Sequence, residues 1–600
     1  MAQKTRDEIE LQYKWDLTPL YADTAAWKAS KEKLAARLAE VRAYKGRLGE
    51  SAATLLSFLR LSDELDKEIS RLYLYASLLS DEDVSNADNM ALTKEIEQVC
   101  IDYDQQADFV RPEMAQISDQ AYDHFLATEP GLDIYRMDID IIRRQRQHTL
   151  SDAEEAILSK MSLLGDAPTD AYSIFSDAEM PRPRITLTDG TEVDLDHSAF
   201  GVVRASQNRV DRQTAFDAFW NNYKKFEGTF GELMAGKVRD SLFSATVRKY
   251  ASTLDAALSR NKIPTAVYHS LIDNVNRNLP TFHRYLTLKK RLLGVDELHY
   301  YDLYAPATPG VSLHFTYDEA KALVLEAIKP MPESYQEVVR RAFNERWIDV
   351  MPTVGKATGA YSNGAATDVH PYILMNFDGS YDSVGTLIHE LGHTMQSYLS
   401  NKTQPYPLHD YTIFVAEVAS TFNEALLDHL MLSKITDREQ RISLLMNMLD
   451  GFKGTLFRQT QFAEFQLSMH ERAAKGLPLT GKELSKLYGD ITRRYYGHEE
   501  GVSVVDDKVD IEWAFIHHFY MGFYVYQYST SFVASQALSE QVLSGAPGSL
   551  ERYMNFLSAG RSKYPIEELA DAGVDMLSGT PFDQCIGKMN SLMDQIEELM

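Results

Sequence analysis

The stretch Val384–Tyr398, VGTLIHELGHTMQSY, restricts the possible folds more than any other part of this chain. Val384, Leu387, Ile388, Leu391 and Met395, with Leu399 just beyond, recur at helical spacing. They predict a helix with one buried face, capped at its start by Asp382 or Ser383. His389 and His393 then lie one turn apart and about 40° apart around the axis, with Glu390 about 100° round from His389. Burying two imidazoles and a carboxylate without partners costs on the order of 1–3 kcal/mol each. Whatever packs against this helix must therefore supply partners for three polar groups.

A metal ion is such a partner. Both rings can point at one ion, while Glu390 is turned too far to ligate it easily and sits where it can touch a water on that ion. This is the His-Glu-x-x-His arrangement of zinc hydrolases, with the glutamate as general base. With 16 histidines in 600 residues, chance supplies roughly 0.03 such patterns. A catalytic zinc site wants a third protein ligand and one open position. Gly at 396 and His at 399 would make a metzincin, but the chain has Gln396 and Leu399. The next helical stretch, YTIFVAEVASTFNEALLDHLML (411–432), sets Glu417, Ser420, Thr421, Glu424 and Asp428 in one polar stripe. Glu424 and Asp428 read equally well as a solvated face. Glu417 is embedded among Val415, Ala416, Val418 and Ala419 and is the expected third ligand, which leaves Glu424 to accept a ring N–H from a ligand histidine. The predicted cofactor is one Zn²⁺ per chain, although the same donors suit Mn²⁺ or Co²⁺.

The rest of the chain reads as mainly α. In WKASKEKLAARLAEVRAYKG, Trp27, Leu34, Leu38 and Val41 share a face and Gly46 is a candidate C-cap. Segments 52–80, 92–128 and 151–164 repeat the pattern. MPRPRITLTDGTEVDLD breaks it, with two alternating runs around Asp189-Gly190 that predict a hairpin. The expected division is a helical lobe over 1–180, a hairpin boundary over 181–205 and a catalytic region over 206–600. A small β element is expected just before the histidines, in the apolar run Pro371–Phe377. In zinc peptidases such a strand offers free backbone groups to an extended substrate, which makes Tyr372 and Asn376, with Gly359 and Tyr361 upstream, candidate substrate-binding residues.

Composition excludes several classes. Hydrophobic residues make up 44% and charged residues 25%, as in an ordinary globular protein. A net charge of -26 argues against nucleic acid and anionic membranes as partners. No apolar stretch reaches the length of a membrane span. Two distant cysteines and an opening MAQKTRDEIELQYKWDL without an apolar core predict a cytoplasmic protein.

At this point the sequence resembles a family. HELGH with Glu417 standing 24 positions after His393, preceded by GAYS and HPYILMNF, resembles the M3 zinc oligopeptidases and in particular their oligoendopeptidase F branch. KWDLTPLY (14–21), YYDLYAP (300–306), HHFYMGFYVYQYSTS (517–531) and YPIEELADAGVDM (564–576) are similar to that branch too. The resemblance implies a large, two-lobed, multi-helical body with the zinc in a deep channel, and internal cleavage of short peptides. It also implies a histidine and tyrosines that stabilise the oxyanion. His518, then Gly522, then Tyr524 and Tyr528 follow the order of the family's thimet branch, with a His-to-Tyr spacing one residue longer. His517 rivals His518, and Tyr526 rivals Tyr528, so His518 and Tyr524 are the expected catalytic pair, with Tyr526 and Tyr528 as candidate substrate contacts. Beside this reading two alternatives stay open. One is a zinc carboxypeptidase or dipeptidyl carboxypeptidase. The other is a non-enzymatic helical peptide-binding protein with a structural zinc, for which His409 and Asp410 are the nearby spare groups.

Overall fold

The computed structural model describes residues 4–308, 310–311 and 313–600. Helices carry most of the chain, as the periodicity predicts, and among the described residues none is long and apolar enough to cross a membrane. The chain forms two compact units, each assembled from three separate segments. The first comprises Met1–Thr149, Ser312–Met431 and Leu538–Val574; the second comprises Leu150–Val311, Leu432–Ala537 and Asp575–Met600.

In the first unit, Ser51 accepts from the Thr54 N–H and starts the helix Ala52–Glu82. Its buried leucines pack with Ile96 and Val99 of Ala87–Gln106. The stretch 92–128, expected as one pattern, is three helices: Ala87–Gln106, Val110–Gln116 and Asp119–Thr128. Ser118 restarts the last of them by accepting from the Ala121 N–H. In the second unit the predicted hairpin is present. Arg184–Thr186 pairs antiparallel with Glu192–Asp194, and Gly190 takes the positive φ of 88° that the turn needs.

The β element before the histidines is a three-stranded sheet in the first unit. Tyr372–Leu374 lies between Ile348–Asp349, parallel to it, and Tyr361–Asn363, antiparallel to it. This corrects the expectation for the run 371–377. Its backbone groups are taken up on both sides, so the edge strands are Ile348–Asp349 and Tyr361–Asn363. Buried Lys356 fixes the sheet: its Nζ donates to the carbonyls of Asp349, Met351 and Met375 and pairs with Asp349 Oδ1 at 2.7 Å.

The carboxyl-proximal segment of the first unit holds a group out of its ordinary state. Glu568, on the helix Pro565–Ala572, is 4% exposed, and its Oε1 has no hydrogen-bond partner among the described residues. Burial pushes this carboxyl up to about 8. Below the ordinary value of 4.5 folded and unfolded chains are both protonated. Above it only the folded chain keeps the proton, so stability falls as the pH rises towards about 8. The Glu568→Gln variant should match the wild type in thermal melts near pH 4.5 and melt at a higher temperature near pH 8. Parallel pH profiles for the two proteins would contradict a neutral Glu568.

Candidate metal centre

The helix Tyr381–Thr403 starts at Ser380, not at Asp382 or Ser383 as expected. The Asp378-Gly379 turn, with Gly379 at φ 85°, reverses the chain early. Ser380 then accepts from the Ser383 N–H at 3.1 Å, while Asp378 takes the Ser380 N–H and the Ser383 hydroxyl. The helix packs against Ile413–Lys434 at very close range. A Cβ on Gly392 would stand 2.5 Å from the Ala419 carbonyl oxygen and 2.6 Å from Ser420 Cα. The glycine inside the His-Glu-x-x-His pattern is therefore what allows Glu417 to approach the histidines. Asn423 locks the register, its amide donating to the Ile388 carbonyl at 3.2 Å and its oxygen accepting from the Tyr335 hydroxyl at 2.9 Å.

Three donor groups converge as a result. His389, His393 and Glu417 offer ligand atoms within 4.8 Å of one another. His389 Nδ1 donates to Glu424 Oε1 at 2.5 Å, and the Ala416 carbonyl lies near His393 and favours its protonated ring. The two Nε2 atoms face each other at 3.2 Å. Glu417 Oε2 completes the triangle at 3.4 and 3.6 Å from them, and the Ser420 hydroxyl steadies it at 2.9 Å. Two facing imidazole nitrogens beside a carboxylate need a cation between them, a proton or a metal ion. The donor set thus fits a divalent metal ion with two nitrogen ligands and one oxygen ligand, which leaves a position open.

The electrostatics follow from burial. Burial alone would depress His389, but the hydrogen bond and charge of Glu424 outweigh it, and Glu390 and Glu417 add to the effect, so the ring is raised. Burial and the neighbouring His389 push His393 down. Glu390 is 6% exposed. Burial, aided by Glu417 and Glu424 and opposed by His389, raises its carboxyl to about 7. The Ser362 backbone N–H lies near it and lowers it in turn, so the outer edge of Tyr361–Asn363 faces Glu390. The Ser362 and Thr394 hydroxyls, 2.8 Å apart, tie that strand to the helix.

The side chains named as substrate contacts in this unit bond internally. Tyr361 donates to Asp81 Oδ2 at 2.5 Å, and buried Tyr372 donates to the Asp16 carbonyl at 3.0 Å. Asn376 donates to the carbonyls of Ala357 and Gly359, and Gly359 takes a φ of 81°. These four residues shape the edge strand and its approach. Asp428, the last residue of the polar stripe, meets the Tyr381 hydroxyl. Asn423 and Ser362 were missed in the sequence. The only signal for Asn423 was an amide in an apolar stretch, and Ser362 contributes its backbone, which carries no signal.

In the second unit the aromatic stretch 514–532 is not one helix. Two 3₁₀ segments, Asp507–Phe515 and His517–Met521, end at Gly522 and Phe523, both with positive φ, and the α-helix begins at Tyr526. The break swings Tyr524 onto His518, with rings stacked at 5.9 Å, and the Tyr528 and Tyr524 hydroxyls lie 3.4 Å apart. Tyr526 is buried against Tyr268. His517 is the exposed member of its pair. Burial and His517 lower His518 to about 4, so its ring is neutral at neutral pH and can donate one N–H.

Comparison with known proteins agrees with this geometry. Residues 202–588 match the model of peptidase family M3, and residues 113–181 match that of oligopeptidase F. The chain is 38% identical to the oligopeptidase PepF of Bacillus subtilis, covering 99% of this chain and 88% of that one. It is 36% identical to the group B oligopeptidase PepB of Streptococcus agalactiae over 99% and 98% of the two chains. The crystal structure of oligoendopeptidase-F from Enterococcus faecium superposes with a TM-score of 0.75 at 34% identity, covering 95% and 98%. The helix contact yields a direct test. Gly392→Ala should lose about 1–3 kcal/mol of stability through overpacking and retain less metal after dialysis, read by melting and by metal analysis. Wild-type values for both would show that the helices do not need this close approach.

Proposed function

This chain belongs to peptidase family M3, in its oligopeptidase F branch, and is a metalloendopeptidase; we propose that it holds one zinc ion and cuts internal bonds of short peptides in the cytoplasm. The observation that carries this reading is the convergence of the two histidine Nε2 atoms and the Glu417 carboxylate beside Glu390. Two free thiols, Cys100 and Cys585, suit a reducing compartment.

His389, His393 and Glu417 would hold the ion. When bound, it supplies Lewis acidity that lowers the pKa of water and polarises the scissile carbonyl. Glu424 holds the proton on His389 Nδ1, which would leave Nε2 as the ligand atom when the ion is bound. Glu390 takes the proton from the attacking water and passes it to the leaving amine. The burial that raises its carboxyl makes it a stronger base once ionised, and a value near neutrality lets it both accept and return a proton. The edge strand Tyr361–Asn363 is the proposed rail for an extended peptide, which would add as a further strand. His518 and Tyr524 are the proposed donors to the developing oxyanion, with Tyr528 orienting the Tyr524 hydroxyl.

The test is digestion of a ladder of end-blocked peptides, with and without a zinc chelator, followed by mass spectrometry. Internal cuts confined to the short members and abolished by chelation are expected. Cuts only near free C-termini would replace this reading with an exopeptidase. Glu390→Gln should keep its zinc and lose nearly all turnover, while His393→Ala should lose the zinc. A Glu390→Gln enzyme with near wild-type kcat would remove Glu390 as the base. His518→Ala and Tyr524→Phe should each lower kcat about 10²–10³-fold with little change in KM. Unchanged kcat would dismiss them as oxyanion donors.

A further inference from the structure

The segment YYDLYAP, which the peptidase mechanism does not use, sits in the second unit within an unbalanced set of charges. Asp302, fully buried, is held by Arg212 at 2.7 Å and by Arg209 at 2.9 Å. Glu512, also buried, pairs with Arg458 at 2.7 Å and accepts from the Tyr300 and Tyr488 hydroxyls. Asp450 alone faces two buried ammonium groups, Lys289 at 3.0 Å and Lys453 at 3.6 Å. Arg204 has no carboxylate partner among the described residues. Its guanidinium lies over the Tyr304 ring at 3.9 Å from the centroid, and Lys453 Nζ lies 4.2 Å from the same centroid. Six cations thus surround three paired carboxylates, and exposed Glu297 acts on Arg209 from further off.

Buried charge without a counter-charge is costly. Arg209 escapes because its side chain is 39% exposed. Lys289 and Lys453, with side chains 1% and 5% exposed, have no such outlet and share the single carboxylate of Asp450. The Tyr304 hydroxyl is a donor with no hydrogen-bond partner among the described residues, and the Asp450 side chain that pairs with Lys453 is 38% exposed, so solutes can reach that side of the cluster. We propose that Arg204, Tyr304 and Lys453 form a binding site for one small singly charged anion, a halide or a carboxylate. The Tyr304 hydroxyl donates to the anion, and the two cations flanking its ring balance it. Burial would raise the Tyr304 phenol, but Arg458, Lys453 and Arg204 outweigh it and hold it below its ordinary value, as expected of a hydroxyl in a positive field. Deprotonation of Lys289, which burial lowers to about 8, is the competing way to restore balance.

The zinc-loaded full-length enzyme decides between them. It is melted in sulfate buffer at constant ionic strength while sodium bromide or sodium acetate replaces the sulfate, and crystals soaked in bromide are measured at the bromine absorption edge. The expected result is a saturable rise in Tm and a bromine peak within hydrogen-bond reach of Lys453 Nζ and the Tyr304 hydroxyl. Arg204→Gln should move the midpoint of the Tm titration up by about tenfold or more while folding normally in sulfate. Tyr304→Phe, which keeps the ring between the cations, should weaken the response without abolishing it. KM for peptides with a free C-terminus and for their amides separates the two sources. A preference for the free acid that Arg204→Gln erases assigns the site to a peptide carboxylate, and equal KM values assign it to an inorganic anion. A Tm insensitive to both salts with no bromine peak, or an unchanged midpoint in Arg204→Gln, overturns the site and leaves Lys289 neutral instead.

Discussion

The metal centre depends on one steric fact: two helices touch backbone to backbone where Gly392 meets Ala419 and Ser420. Side chains on helices at ordinary separation keep the axes about 8–10 Å apart. Removing the Cβ at the crossing lets Glu417 come within 3.6 Å of both histidine Nε2 atoms. Glu424, two helical turns further on, then reaches His389 Nδ1 from the same helix. One missing methyl thus positions both a ligand and the group that orients a ligand.

Polar partners fix what the close approach permits. His389 has its Nδ1 held by the Glu424 carboxylate, so its ring orientation is set before any ion arrives. Such preorganisation reduces what must be ordered at binding. Asn423 and Tyr335 do the same for the helices themselves, since a buried amide that is fully bonded in only one register penalises every other register.

The sheet beside the helix shows how topology assigns a role that composition cannot. Tyr372–Leu374 is the most apolar strand and belongs in the middle, where both faces and both edges are covered. Tyr361–Asn363 is half-buried, flanked by glycines, and lies on the side facing Glu390. A strand can offer backbone groups only where no neighbour has taken them. The apolar run was legible as a strand, but the edge was not.

The sequence alone determined the mainly helical class, the hairpin at Asp189-Gly190, the histidine pair with its glutamate, and the choice of Glu417, because spacing along a helix or strand is local and periodic. The resemblance of several short motifs carried the family. Tertiary structure decided the Ser380 cap, the break at Gly522 and Phe523 that brings Tyr524 to His518 and sends Tyr526 into the core, the strand order, and the charge cluster around Tyr304. These depend on which residues meet across tens or hundreds of positions. Backbone donors such as Ser362 and absent atoms such as the Gly392 Cβ leave no periodic trace, so only the folded chain reveals what they do.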